Sequence, residues 1–175
     1  SCFPKDVQAL INISNYHGYN PTLINSVEVV NKKQKEVLFS KLKSQMGSDL
    51  KGKRIAIWGL SFKPDTDDMR EAPSINLIKS ILDAGGQVNA YDPKALDEAK
   101  FYLKGYIVNY FTDKYSVLEG VDALVLVTEW KEFRSPNFGM MQANMKGNLF
   151  VDGRNQFSKK FIEKKGFKYL QIGVK

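Results

Sequence analysis

Cysteine and histidine are almost missing from this 175-residue chain, which has one of each. A single cysteine excludes an internal disulfide framework and fits a reducing, cytoplasmic setting. The same scarcity leaves no ligand set for zinc, and no metal is expected. No apolar run approaches the ~20 residues that span a bilayer, and no secretory signal pattern opens the chain, so no membrane partner is expected. Repeats and low-complexity tracts are also missing. So is the Gly-x-Gly-x-x-Gly fingerprint, by which a backbone comes close to a dinucleotide pyrophosphate.

What is present supports a packed globular protein, with 43% hydrophobic and 12% aromatic residues. Lys and Arg number 26 against 19 Asp and Glu, a formal charge of +7. The basic residues are interleaved with acids rather than gathered in a stripe, which argues against nucleic acid. A phosphate-bearing small molecule, or solubility alone, accounts for the excess. The chain starts at Ser1 rather than Met, so a piece of a longer protein is expected.

The organising stretch runs from Lys53 to Ser74. Arg54–Trp58 reads as a buried strand, Gly59 as a turn, residues 60–72 as a polar loop, and Pro73 as the entry to a helix. This is the first βα unit of a doubly wound α/β fold, in which ligands sit at the carboxyl ends of the strands. Lys63 and Arg70 bring positive charge to that loop, and the helix N-terminus adds N–H groups, so an anion is expected there.

Two helices precede this unit. In the first, Pro4 suits a first turn, which places Cys2 just before the helix and Asp6 within its first turn; Val7, Leu10 and Ile11 fall at core-facing spacing. Cys2 then has two readings: a thiol activated by the helix N-terminus, or a small buried hydrophobe. The second helix, Pro21 to Met46, would run about 40 Å and ends at Gly47. It reads equally as a domain connector with a dimer seam or as a core helix. Residues 1–47 thus form a helical region and 48–175 a nucleotide-binding domain.

Downstream, helices and strands alternate. Helices are expected at 74–84, 95–104, 114–118, 137–145 and 157–164. Strands are expected at 87–91, 106–110, 122–128, 148–151 and 168–172. That order predicts a parallel sheet with helices on both faces. Asp92, Thr128–Trp130 and Asp152–Asn155 each follow a strand, so with Lys63 and Arg70 they would share one edge and line a crevice. Asp92 lies too far from Gly59 for the usual ribose-binding acid, which leaves a structural role as its alternative reading.

Taken in order, these motifs resemble the UDP-glucose/GDP-mannose family of nucleotide-sugar dehydrogenases, most closely its UDP-glucose branch. The opening SCFPKD resembles the family's nucleophile motif. Residues 59–74 (GLSFKPDTDDMREAPS) are similar to its UDP-binding signature, and residues 90–93, 128–134 and 152–155 follow in the expected order. The resemblance covers nearly all of the chain. It implies a Rossmann-like domain behind a long connecting helix, with Cys2 as nucleophile and Asp6 as the acid that assists it through water. It further implies substrate contacts from Phe62, Lys63 and Arg154, and NAD contacts from Cys2, Phe3, Pro4, Lys5 and Arg70. The implied reaction converts UDP-glucose to UDP-glucuronate with two NAD and one water, through a thiohemiacetal and a thioester. The family's N-terminal NAD-binding domain would be a missing partner, the chain alone would be inactive, and helix 21–46 would pair two subunits. Two rivals stand beside this reading: a GDP-mannose dehydrogenase, and a non-catalytic nucleotide-binding or assembly module.

Overall fold

The computed structural model describes residues 2–174, and all of their side chains but those of Cys2 and Phe3. Two helices lead, α1 (Cys2–Tyr16) and α2 (Thr22–Met46). After them come β1 (Arg54–Trp58), α3 (Pro73–Asp83), β2 (Gln87–Tyr91), α4 (Leu96–Tyr102) and β3 (Asn109–Phe111). The second half holds β4 (Ala123–Leu126), α5 (Phe138–Asn144), β5 (Leu149–Asp152), α6 (Lys159–Lys164) and β6 (Lys168–Gln171). Two 3-10 turns, Ser116–Leu118 and Lys131–Phe133, flank β4.

All six strands are parallel, in the order β3-β2-β1-β4-β5-β6. The sheet follows from short β-branched and apolar runs whose alternate side chains fill two separate cores. Ile55 and Ile57 of β1, Ala123 and Val125 of β4, and Leu149 and Val151 of β5 face one side. There they meet Leu38 and Leu42 of α2, Leu77, Ile78 and Ile81 of α3, and Ala99 of α4. Ala56 and Trp58, Leu124 and Leu126, and Phe150 face the other side, against Phe133, Met141 of α5 and Ile162 of α6. Trp58 anchors this second core. It is fully buried, stacks on Phe133 at 4.8 Å, and donates its indole N–H to the Lys114 carbonyl at 2.9 Å. Truncating such a residue costs about 3–5 kcal/mol.

Several elements depart from the sequence expectation. α1 begins at Cys2 itself, so Cys2 lies in the first turn rather than before it, and no acid falls in that turn. Asp6 sits further along and is exposed. Val7 is buried, but Leu10 is 49% exposed. The strand expected at 106–110 forms only from Asn109, because the Tyr106–Ile107 pair that suggested it lies on the preceding loop with Ile107 88% exposed. The helix expected at 114–118 is a single 3-10 turn, fixed by Asp113 accepting from the Tyr115 and Ser116 amides at 3.0 and 2.8 Å.

α2 is a core helix over only part of its length. Its C-terminal half packs into the core through Leu38 and Leu42. Its N-terminal half leaves Leu23, Val27 and Val30 exposed, at 76%, 36% and 65%. No helix among the described residues is long and apolar enough to cross a membrane, and no group of three or more His, Cys, Asp or Glu side chains among them is placed to hold a metal.

Candidate functional site

The strand order reverses between β1 and β4, the position where doubly wound sheets open a ligand crevice. Here the β1 and β4 backbones come close at its floor. Gly59 leaves β1 at φ +86, and a Cβ on it would stand 2.6 Å from the Thr128 Cβ and 2.7 Å from the Thr128 amide nitrogen. Thr128 adds a hydroxyl bond to the Ser61 carbonyl. Only glycine fits both the left-handed backbone and this close approach.

Two buried carboxylates then lock the loops. Asp92, 1% exposed at the end of β2, accepts Leu60 N–H at 2.7 Å, Ser61 N–H at 3.1 Å and the Trp130 indole N–H at 3.0 Å on one oxygen. Its other oxygen accepts the Lys94 and Ala95 amides, both at 2.9 Å. The amides that would greet a pyrophosphate in a standard dinucleotide fold are thus satisfied by an internal anion. Asp92 is structural, the alternative reading of the sequence.

Asp152 does the same at the end of β5. It is fully buried and accepts from the Arg154 amide at 2.8 Å, the Gln156 amide at 2.7 Å and the Tyr169 hydroxyl. Burial, then the Asp152 carboxylate, pushes the Tyr169 phenol well above its usual range. Asn155 takes a left-handed φ of 52, which asparagine tolerates, and exchanges two hydrogen bonds with the backbone of Ile172. Gly153 has no room for a side chain, because a Cβ would stand 2.8 Å from the Leu126 carbonyl oxygen and 3.0 Å from a Leu38 methyl on α2. Of the polar residues expected to line a crevice, Asp92, Thr128 and Asp152 are therefore buried and internally bonded. What they do is hold Arg154 and the 60–72 loop in place.

The groups that do face outward are few. Arg154 gives its Nε–H to the Val127 carbonyl at 2.7 Å, so Glu129, 2.9 Å from the same nitrogen, is held by charge rather than by a hydrogen bond. Its terminal guanidinium nitrogens have no hydrogen-bond partner among the described residues. Lys63 is exposed, and its ammonium likewise meets no carboxylate among them. Phe62 is half-buried against the α2–α3 core, with its amide bonded to the Asp68 carbonyl at 2.8 Å. The loops bearing Lys63 and Arg154 leave β1 and β5, two strand spacings or roughly 10 Å apart.

Arg70 is exposed and grips Asp68 through two parallel N–H bonds of 3.0 and 2.8 Å. This guanidinium holds the Asp68 carboxyl well below the usual carboxylate range. Lys5 and Asp6 are exposed on α1 and Pro4 is buried, while the calls on the Cys2 and Phe3 side chains lie outside the described residues. A contact passed over by the motif reading joins α2 to the same loop: Lys35 Nζ lies 2.5 Å from Glu71 Oε2. Its signal was legible, since Lys35 shares a helical stripe with core residues Leu38 and Leu42. A broad concavity of about 660 Å³ lies at the opposite, amino edge, lined by Leu82, Gln87, Tyr106, Ile107 and Asn109, with little charge.

A six-stranded parallel sheet in this order, with helices on both faces, defines a Rossmann-like doubly wound α/β domain. Residues 56–159 match the family model of the UDP-glucose/GDP-mannose dehydrogenase family, UDP binding domain. The chain belongs to that family. It is 44% identical, over 99% of its length, to a UDP-glucose 6-dehydrogenase of Pseudomonas aeruginosa, of which it covers 39%. It is 40% identical to the UDP-glucose 6-dehydrogenase TuaD of Bacillus subtilis, again over 99% of this chain and 37% of that protein. Among solved structures, a UDP-glucose dehydrogenase from Pyrobaculum islandicum superposes with a TM-score of 0.80 at 29% identity, over 99% of this chain and 37% of that one. The chain thus spans under two-fifths of the length of these relatives.

Proposed function

We propose that this chain is the UDP-binding and nucleophile-bearing part of a UDP-glucose 6-dehydrogenase, which oxidises the C6 alcohol of UDP-glucose to the carboxylate of UDP-glucuronate. The observation that carries the reading is the pair Lys63 and Arg154. Among the described residues the Lys63 ammonium meets no carboxylate, and Arg154, ion-paired to Glu129 at Nε, keeps its terminal nitrogens unbonded on an edge where Asp92 and Asp152 are spent internally. Two cations on loops that leave strands two places apart suit a nucleoside diphosphate, with Phe62 against the base or ribose and Arg154 fixing one phosphate by its planar fork. Binding energy spent there, remote from C6, positions the reacting carbon.

Cys2 supplies the nucleophile. Its thiolate adds to C6 once that carbon has reached the aldehyde level, giving a thiohemiacetal. Water then frees the acid from the thioester at the next oxidation level. Asp6, one helical turn beyond Cys2 and exposed, orients that water. The family implies NAD as hydride acceptor, and the sheet of this chain does not fit it. The first loop closes on Thr128, and its Leu60 and Ser61 amides are bonded to Asp92. Phe3, Pro4, Lys5 and Arg70 would touch NAD only at the margin of a site built mainly outside this chain. The exposed apolar face of α2 at Leu23, Val27 and Val30 supports pairing of two copies along that helix.

The test is to count NADH formed per sugar consumed by a protein carrying this chain behind a cofactor-binding domain. Two NADH per UDP-glucose, abolished by Cys2→Ala, is the expected result. One NADH per sugar, or a preference for GDP-mannose, would overturn it.

A further inference from the structure

The two loops proposed to grip the nucleotide are separate in sequence, and α2 touches both within one turn. Lys35 reaches the first loop: its ammonium lies 2.5 Å from the Glu71 carboxylate, and its side chain is only 14% exposed. Leu38, three residues on, packs against Gly153, immediately before Arg154, where even a methyl group would approach its Cδ atoms to 3.0 and 3.1 Å. Residues three apart on a helix share a face, so a single rigid turn of α2 abuts both loops.

The first of these contacts holds a backbone that its sequence does not favour. Residues 69–72 form a turn closed by the Ala72 amide on the Met69 carbonyl at 3.0 Å, with Glu71 at φ +60. Glycine or asparagine is favoured at such a position and a glutamate is strained there. Nothing local recommends glutamate. Its carboxylate, however, meets a largely buried lysine that shares the α2 stripe otherwise occupied by Leu38 and Leu42. A lysine on a core-facing stripe keeps its charge only where it is partnered.

We infer that Lys35 is a positioning residue for nucleotide binding, clamping the Glu71 turn to α2 so that the Phe62–Arg70 loop is held at a fixed distance from Arg154. The inference rests on the nucleotide site proposed above. The clamp preorganises the loop, and its loss appears as weaker nucleotide affinity rather than as loss of the fold. It also ties the site to the helix whose far half carries the unpaired apolar face.

The experiment measures two quantities on the 175-residue chain and its Lys35→Met, Lys35→Arg and Lys33→Met variants. One is amide hydrogen exchange across residues 60–72, and the other is UDP affinity by titration calorimetry. Lys35→Met should speed exchange in that segment and weaken UDP about tenfold with the melting temperature little changed. Lys35→Arg should restore both, and Lys33→Met, on an exposed position of the same helix, should alter neither. Unchanged exchange in Lys35→Met overturns the clamp whatever UDP does, as does faster exchange with unchanged UDP affinity. If the parent chain fails to bind UDP while Lys35→Met still loosens 60–72, the clamp stands as a loop anchor. In that case the nucleotide reading and the role in binding both fall.

Discussion

Replacing Asp92 by asparagine tests how the candidate edge is built. The substitution preserves shape and removes one charge. Three N–H groups converge on one carboxylate oxygen and two on the other. An asparagine amide must turn its NH2 towards one set, and the less damaging choice faces the Lys94 and Ala95 amides. Two charge-assisted bonds at ~1.5–3 kcal/mol each are then lost, ~3–6 kcal/mol together. Relief from burying a charge returns part of this, leaving a destabilisation of about 3 kcal/mol. Urea unfolding is the assay. With a slope of about 2 kcal/mol/M, the midpoint should fall by about 1.5 M at unchanged slope. A fall below about 0.5 M would refute the claim that Asp92 is the loop's internal anion.

Gly59→Ala should cost about 3 kcal/mol in the same assay, because it adds a strained φ to a Cβ pressed on Thr128; a loss under about 1 kcal/mol would mean that the β1–β4 closure yields. Asp68 should remain ionised at about pH 3 in a carboxyl-carbon NMR titration, and Arg70→Ala should return its midpoint towards the ordinary value. A carboxylate depressed in this way favours the folded state above its unfolded pKa, and the advantage disappears as pH falls through the folded value. Of the eight tyrosines, Tyr91, Tyr110 and Tyr169 should lag in an alkaline spectrophotometric titration, chiefly through burial. A phenol raised on folding favours the native state below its unfolded pKa and ceases to do so as pH rises, so stability should decline above about pH 10.

Much of the fold was legible because its signals are local. β1 and β2 were bounded to the residue, since each is a short apolar run stopped by glycine or by an Asp-Pro pair. The α3 stripe of Leu77, Ile78 and Ile81 and the stop of α2 at Gly47 were equally plain. β3 was misjudged because Tyr106 and Ile107 carry strand-like character, although tertiary packing leaves Ile107 in solvent. At the site, the sequence identified which loops share an edge but not which side chains face outward. Asp92, Asp152 and Thr128 look like ligand groups in one dimension. Only the folded chain shows the two carboxylates taken up by amides of neighbouring loops and the Thr128 hydroxyl donating to the Ser61 carbonyl. The Lys35–Glu71 contact spans 36 positions, and although the lysine on an apolar stripe is visible, its partner is not.

The central claim is that the carboxyl edge binds UDP through Lys63 and Arg154, and titration calorimetry of UDP into this chain addresses it directly. The account predicts one site per chain, weakened about tenfold or more by Lys63→Ala and by Arg154→Ala. Lys104→Ala, on the exposed loop after α4, should bind as the parent does. No binding at millimolar UDP, or equal affinity in all three variants, would contradict it.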